Sequence, residues 1–182
     1  MPLSNTCTSC ADLIARHLGR RMFLGMAGAA GLTATFPHRA RAGEGNYEAM
    51  LFTCIDPRFP EPTIKYMNNR HLVGKYSQFA MAGASIGVVA PAFAAWRPAF
   101  WENLAASIQL HHIPKVIVMN HRDCGAAKMA YGADGVKDRA TETATHKDAF
   151  AEFRTQVAAR HPTMKVETSL MALDGTVEMF TA

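Results

Sequence analysis

Residues 115–125 read KVIVMNHRDCG, and they combine a predicted buried strand with polar groups placed directly after it. The apolar and β-branched run over 115–120 predicts the strand. Gly125 permits a tight turn into a helix that begins near Ala126. A strand followed at once by a helix is the repeating unit of α/β domains, so this stretch sets the expected fold class.

Strands and helices alternate along most of the remaining chain. We predict strands at 49–53, 76–81, 165–173 and 176–180, and helices at 60–70, 100–112 and 141–160. Asp174-Gly175, between the last two strands, is a strong hairpin signal. Residues 84–101 are apolar but interrupted by glycine and prolines, which predicts an apolar loop or a pair of short turns. The pattern indicates a single α/β domain around a mainly parallel β-sheet flanked by helices.

A second polar motif, CIDPR at 54–58, follows the first predicted strand. Thiolate and imidazole groups are ligands that zinc prefers, and three protein ligands leave a fourth position for water or substrate. Functional groups gather at the carboxyl ends of parallel strands. Cys54, His121 and Cys124 would therefore meet at one point if their two strands are neighbours. The sequence predicts a catalytic metal site rather than a closed structural one.

Residues 1–42 form a basic and then apolar leader. Twin arginines at 20–21 stand directly before an apolar stretch, and ARA at 40–42 supplies the small residues that a signal peptidase accepts. The leader resembles a twin-arginine (Tat) export signal, which implies cleavage after Ala42, a mature domain at 43–182 and a periplasmic location. An amphipathic helix with a basic end is the alternative. The apolar stretch of about 15 residues is too short for a stable membrane span, which takes ~20.

The net charge comes from this leader. Five of the 19 Lys and Arg residues lie in it, but only one of the 15 Asp and Glu residues does, so the formal charge of +4 belongs to the leader and the body is neutral. A neutral body lacks the basic surface that nucleic-acid binding requires. We therefore expect no nucleic-acid partner.

The cysteines divide between leader and body. Cys7 and Cys10 form a C-x-x-C without a second pair, and we interpret them as incidental. Cys54 and Cys124 would be the only thiols of the mature chain. In an oxidising compartment two such thiols either bind a metal or bridge each other. A disulfide is the alternative, although it would explain none of the accompanying polar residues.

The paired motifs C-x-D-x-R at 54–58 and H-x-x-C-G at 121–125 resemble those of the β-class carbonic anhydrases. The similarity runs from about Ala49 to the C-terminus and includes MALDG at 171–175, which is similar to the family's last strand. The resemblance implies the β-carbonic anhydrase fold. It also implies a zinc lyase (carbonate dehydratase) that reversibly hydrates CO2 to bicarbonate and a proton through zinc-bound hydroxide.

The resemblance also assigns roles to residues. It implies one zinc ion per chain, held by Cys54, His121 and Cys124. It implies that Asp56 and Arg58 form the neighbouring catalytic dyad, in which the aspartate either pairs with the arginine or moves onto the metal. Members of the family are usually dimers or multiples of dimers, so a homodimer or higher even oligomer is implied as well.

The chain departs from the family pattern around its second strand. The family commonly shows an Arg-Asn-Ala-Gly-like run there, whereas residues 79–84 read FAMAGA. Gly83 is the expected counterpart of the family glycine, but the polar residues are missing. The linker between the two motifs is also longer, with the excess at 84–101, which we expect to form an interface or a pocket wall.

Three other functions fit parts of the pattern. Relatives on this scaffold hydrolyse carbonyl sulfide or carbon disulfide, and apolar substitutions around the pocket are compatible with that reaction. A non-catalytic zinc-binding module is the alternative from another class, but a structural site would need a fourth ligand and no arginine. The run His121-Arg122-Asp123 also occurs in kinases, yet no glycine-rich loop precedes it, which excludes that interpretation.

Other polar residues near the motifs are expected to be structural. We interpret the pair His111-His112 as cations at a helix end, and Asp123 as a helix-start carboxylate rather than a hydrogen-bond partner within the site. The other histidines of the mature chain are predicted at the surface, not as ligands or proton shuttles: His71, His146 and His161.

Overall fold

A computed structural model describes residues 45–180 of the chain. The predicted leader, its two cysteines and its cleavage site lie outside these residues. The described elements are, in chain order, β1 (Ala49–Thr53), α1 (Pro60–Asn69), β2 (Tyr76–Ala80), α2 (Ser85–Val89), a 3₁₀ segment (Pro91–Trp96), α3 (Arg97–His111), β3 (Lys115–His121), α4 (Gly125–Tyr131), a second 3₁₀ segment (Asp134–Val136), α5 (Arg139–Arg160), β4 (Lys165–Met171) and β5 (Val177–Phe180). None of the helices among them is long and apolar enough to cross a membrane.

Five strands form one sheet in the order β2-β1-β3-β4-β5. The first four run parallel and β5 runs antiparallel to β4, so the prediction of a mainly parallel sheet flanked by helices is confirmed. β1 and β3 are central and buried on both faces, which is why their sequences are almost continuously apolar. The pairing of β1 with β3 brings the ends that carry the two polar motifs side by side.

The β4–β5 hairpin turns at the predicted Asp174-Gly175. Gly175 has a φ of 90°, a conformation that glycine adopts without steric cost. Asp174 Oδ1 accepts a hydrogen bond from the Thr176 backbone N–H at 2.8 Å, and the Ala172 N–H donates to the Thr176 carbonyl at 2.8 Å. These bonds fix the turn and place β5 at the edge of the sheet.

The sheet separates two apolar layers, because side chains alternate between the faces of each strand. In one layer Leu51, Ile117 and Met119 pack with Met67 of α1 and Ala127 of α4. The opposite layer contains Met50, Phe52, Val116 and Val118 together with Phe100, Leu104, Phe150, Phe153 and Val157 from α3 and α5. The two layers bury β1 and β3 up to their carboxyl ends, which gives the loops there a rigid support.

Residues 84–101 differ from the loop or short turns that we predicted. They contain α2, the first 3₁₀ segment and the start of α3, which begins at Arg97. Pro91 and Pro98 occupy the first turns of their helical segments, where a missing N–H breaks no intrahelical hydrogen bond. The prolines therefore begin helices instead of interrupting them. α2 is almost fully buried, so this part of the segment belongs to the core; an interface role for the rest stays a prediction.

Candidate metal centre

Cys54, His121 and Cys124 lie together at the carboxyl edge of the sheet. Cys54 follows β1 directly, His121 is the last residue of β3, and Cys124 immediately precedes α4. All three side chains are buried, and one ligand atom from each lies within 4.8 Å of those of the other two. The predicted convergence of these residues is thus present, and the group could hold a metal ion.

Only one of the two ring nitrogens of His121 has a hydrogen-bond partner among the described residues. Its Nδ1 donates to the Arg122 carbonyl at 2.8 Å, because a carbonyl can only accept. Its buried Nε2 has no hydrogen-bond partner among residues 45–180. A buried polar atom without a partner costs free energy, whereas a metal ion in the cluster would satisfy it. The donor set of two thiols and one imidazole nitrogen suits zinc.

The two thiols are free and form a coupled pair. A hydrogen bond from Cys124 lowers the pKa of Cys54, and the neighbouring Cys54 thiolate raises the pKa of Cys124. Cys54 is therefore the more acidic of the two thiols. The two sulfurs are not bonded to each other in this structure.

Gly83 brings its backbone close to the first thiol. Its N–H donates to Cys54 Sγ at 3.2 Å, and its φ of 76° suits glycine. A Cβ at this position would come within 3.1 Å of Ala126 Cβ and 3.2 Å of Ile86 Cβ. The glycine that we predicted as the family counterpart is thus required by its positive φ and by the closeness of Ala126 and Ile86.

Asp56 and Arg58 form an ion pair beside the cluster. The Asp56 carboxylate accepts from Arg58 Nε at 3.0 Å, from the Arg58 backbone N–H at 2.9 Å and from an Arg58 terminal nitrogen at 2.8 Å. The side-chain hydrogen bonds from Arg58 lower the pKa of Asp56 to about 2. Asp56 Oδ2 lies 3.7 Å from His121 Nε2, so an ionised carboxylate borders the cluster.

Asp123 differs from its predicted role as a helix-start carboxylate. The residue that caps α4 is Cys124, and Asp123 precedes the cap with a left-handed φ of 55°. Its carboxylate accepts from Arg58 at 2.8 Å, and its carbonyl accepts from the other terminal nitrogen of Arg58 at 3.1 Å. Asp123 therefore holds the arginine of the dyad.

The prediction that His146 lies at the surface is wrong. It is fully buried on α5, and its Nδ1 accepts from Asn120 Nδ2 at 2.9 Å. Asn120 in turn contacts Ser85. The spacing of residues in the sequence could have predicted this burial. His146 stands four residues before Phe150 and seven before Phe153, which places it on the apolar stripe of the helix.

The remaining predictions for histidines hold in part. His71 is exposed and His161 is half-buried, as expected for residues near the surface. His111 packs edge-on against Tyr47, with ring centroids 4.9 Å apart, and His112 ends α3 in a left-handed conformation. Neither belongs to the group of described residues that could hold a metal ion.

The sequence did not predict a salt-bridge network that centres on Arg122, the residue after His121. Arg122 is buried, and it donates to Glu142 at 2.9 Å, to Glu178 at 2.8 Å and to Thr143 Oγ1 at 2.9 Å. Glu178 also pairs with Arg139. The network ties the end of β3 to α5 and β5. In the sequence these charges are far apart, and the packing of α5 and β5 next to the end of β3 brings them together.

Comparison with known proteins agrees with this geometry. Residues 45–178 match the family described as "Putative carbonic anhydrase". An uncharacterized protein of Rickettsia conorii is 30% identical over 129 residues, which cover 71% of this chain and 69% of that protein. A protein of Rickettsia bellii is 29% identical over 129 residues, covering 71% of this chain and 79% of that protein.

Solved structures share the fold. The β-carbonic anhydrase CafA of Aspergillus fumigatus superimposes with a TM-score of 0.54 at 14% identity, covering 93% of this chain and 89% of that one. A tetrameric β-carbonic anhydrase of Sordaria macrospora gives a TM-score of 0.50 at 13% identity, covering 94% and 98%. The family match extends over most of the chain, and the chain therefore belongs to this carbonic anhydrase family.

Proposed function

We propose that the chain is a zinc-dependent carbonic anhydrase that reversibly hydrates CO2 to bicarbonate and a proton. Cys54, His121 and Cys124 would hold one zinc ion per chain. The observation that carries the proposal is the buried Nε2 of His121, which has no hydrogen-bond partner within the described residues and lies between two thiols and a carboxylate. Membership of the carbonic anhydrase family supports the same reaction.

The protein's own groups suit this chemistry. A zinc ion bound here would supply a Lewis acid that lowers the pKa of water. Asp56, whose pKa is about 2, is ionised at neutral pH, so it only accepts hydrogen bonds and would orient the attacking water. Arg58 engages both carboxylate oxygens, which would keep Asp56 from occupying the fourth metal position.

The test is a stopped-flow assay of CO2 hydration on the purified protein, with zinc determined on the same sample. We expect hydration well above the uncatalysed rate at one zinc per chain. A Cys124→Ser variant, which loses a thiolate ligand, is expected to lose both zinc and activity. Zinc binding without any turnover would favour the non-catalytic module.

Hydrolysis of carbonyl sulfide or carbon disulfide is the second candidate. A pocket of about 250 Å³ beside Cys54 is lined in part by Ile55, Phe59 and Ala80. Such apolar walls suit a small apolar molecule, and CO2, carbonyl sulfide and carbon disulfide all have this character. Carbonyl sulfide as a parallel substrate separates the two enzymes: a carbonic anhydrase turns over CO2 much faster.

We also propose that the protein is exported through the Tat route to the periplasm and forms a homodimer or higher even oligomer. The twin arginines at 20–21 support export, and the tetrameric relative from Sordaria macrospora supports assembly. Replacing both arginines by lysine is expected to retain the protein in the cytoplasm, whereas Arg16→Lys leaves export intact. Light scattering on the purified protein measures the oligomer.

A further inference from the structure

Glu142 contacts the turn between His121 and Cys124 at two points. One carboxylate oxygen accepts from the Arg122 guanidinium at 2.9 Å, and the other accepts from the Asp123 backbone N–H at 2.6 Å. Glu142 lies in the first turn of α5 and is buried. A single side chain from a distant helix thus holds both residues between the two proposed metal ligands.

Each of these two residues supports a different part of the site. The Arg122 carbonyl accepts the Nδ1–H of His121, which leaves Nε2 free to face the thiols. The Asp123 carboxylate accepts from Arg58, which holds Asp56. Glu142 therefore supports the proposed imidazole ligand through Arg122, and it supports the Asp56–Arg58 pair through Asp123.

The turn needs such support because its backbone is strained. Asp123 has a φ of 55°, in the left-handed region that residues with a Cβ seldom adopt. Strained residues persist only where surrounding contacts over-determine them. The bond from the Asp123 N–H to Glu142 acts directly on this residue, and the charged Arg122–Glu142 contact holds the residue before it.

We propose that Glu142 is a positioning residue that fixes the His121–Cys124 turn in the geometry for metal binding. The inference rests on the proposed metal centre but not on the identity of the substrate. Glu178 offers an internal comparison: it accepts from the same Arg122 guanidinium but does not contact Asp123. Loss of Glu178 should therefore disturb the turn less than loss of Glu142.

The experiment compares zinc affinity and thiol reactivity in four full-length variants: Glu142→Ala, Glu142→Gln, Glu178→Gln and Glu152→Ala. Glu152 is the matched control, since it is exposed on the same helix and its side chain contacts Gln156. Competition with a chromophoric chelator should show about 10- to 100-fold weaker zinc binding for Glu142→Ala, as is typical when a partner of a metal ligand is lost. We expect smaller losses for Glu142→Gln and Glu178→Gln, and none for Glu152→Ala.

Alkylation of the metal-free protein separates positioning from general destabilisation. The peptides that contain Cys54 and Cys124 are followed separately by mass spectrometry. Loss of Glu142 should accelerate alkylation of Cys124 more than that of Cys54, because Cys54 follows β1 and is bound by Gly83. Unfolding would expose both thiols equally.

Equal acceleration of alkylation at both thiols relative to the parent protein, or no acceleration at either, overturns the proposal for Glu142. The alkylation assay uses metal-free protein, so it tests the role of Glu142 whether or not the parent protein binds zinc. The chelator assay on the parent protein separately tests the metal centre. If Glu142→Ala does not fold, Glu142→Gln decides by the same two readouts, because it keeps an amide oxygen for only one of the two donors.

Discussion

Asn120 and His121 are adjacent in β3 but face opposite sides of the sheet, and each belongs to a different buried polar cluster. His121 lies with two thiols and the Asp56 carboxylate. On the other side, Asn120 Nδ2 donates to His146 Nδ1 at 2.9 Å. Both histidines are fully buried, and neither Nε2 has a hydrogen-bond partner among the described residues.

The two histidines differ in their charged neighbours. Burial lowers the pKa of His121, but the negative charges of the Cys54 thiolate and of Asp56 outweigh it and raise the pKa overall. Burial lowers the pKa of His146 to about 3, helped by the positive charges of His121 and Arg122. A histidine surrounded by anionic groups, such as His121, is therefore suited to metal binding. A histidine whose partner is an amide, such as His146, is suited to hydrogen bonding in its neutral form.

The largest expected effect comes from replacing each histidine by glutamine. His121→Gln should abolish zinc binding, because it removes an imidazole ligand. His146→Gln should retain one zinc per chain, because its partner Asn120 lies on the other face of the sheet. Elemental analysis of the two purified variants measures the difference. Equal loss of zinc from both would remove the distinction between the clusters.

Arg58→Ala tests the role of the Asp56 carboxylate beside His121. Without Arg58 the Asp56 carboxylate is free to occupy the fourth metal position, so CO2 hydration should fall by about 10- to 100-fold while zinc content stays at one per chain. Arg160→Ala is the matched control, since Arg160 is an exposed arginine stacked on Trp101. Retained activity in Arg58→Ala would exclude a role for the arginine in holding Asp56.

Acid sensitivity should distinguish His146 from an exposed histidine. Its pKa of about 3 in the folded protein is below the ordinary 6.5, so protonation favours the unfolded state. Its contribution to stability is complete above pH 6.5 and is lost as the pH falls towards 3. Between pH 7 and 5 the loss is about 2 kcal/mol.

Urea unfolding of the metal-free protein at pH 7 and pH 5 measures this loss. His146→Gln should lack it, and the difference between parent and variant isolates the contribution of this residue. His71→Gln, at an exposed position, should behave like the parent. An identical pH dependence in His146→Gln and the parent would show that His146 does not remain neutral in the fold.

The smallest expected effect is the pH dependence of CO2 hydration between pH 7 and 9. Two thiolates cancel the charge of a bound zinc ion, so its effect on the pKa of water should be weaker than with three histidine ligands. We expect the rate to rise up to about tenfold over this range. A flat or falling profile would count against a metal-activated nucleophile.

The sequence was sufficient for the fold and for the convergence of Cys54, His121 and Cys124. The apolar runs before Cys54 and His121 are buried on both faces, as central parallel strands require, and they end at the polar motifs. The hairpin at 174–175 followed from its turn residues. These features depend on local patterns, which a sequence displays directly.

The errors arose where tertiary contacts decide the outcome. The burial of His146 depends on α5 packing against β3, which no local pattern specifies beyond its position on an apolar stripe. The role of Asp123 depends on a left-handed backbone conformation, which residue type does not reveal. Glu142 is far from both motifs in sequence, and only the fold brings it to them.

Titration of zinc into the chelator-treated protein, with CO2 hydration followed by stopped flow, tests the proposed metal centre most directly. We expect the hydration rate to rise in proportion to added zinc and to reach a plateau at one ion per chain. Full zinc occupancy with hydration no faster than the uncatalysed reaction would contradict the assignment of Cys54, His121 and Cys124 to a carbonic anhydrase site.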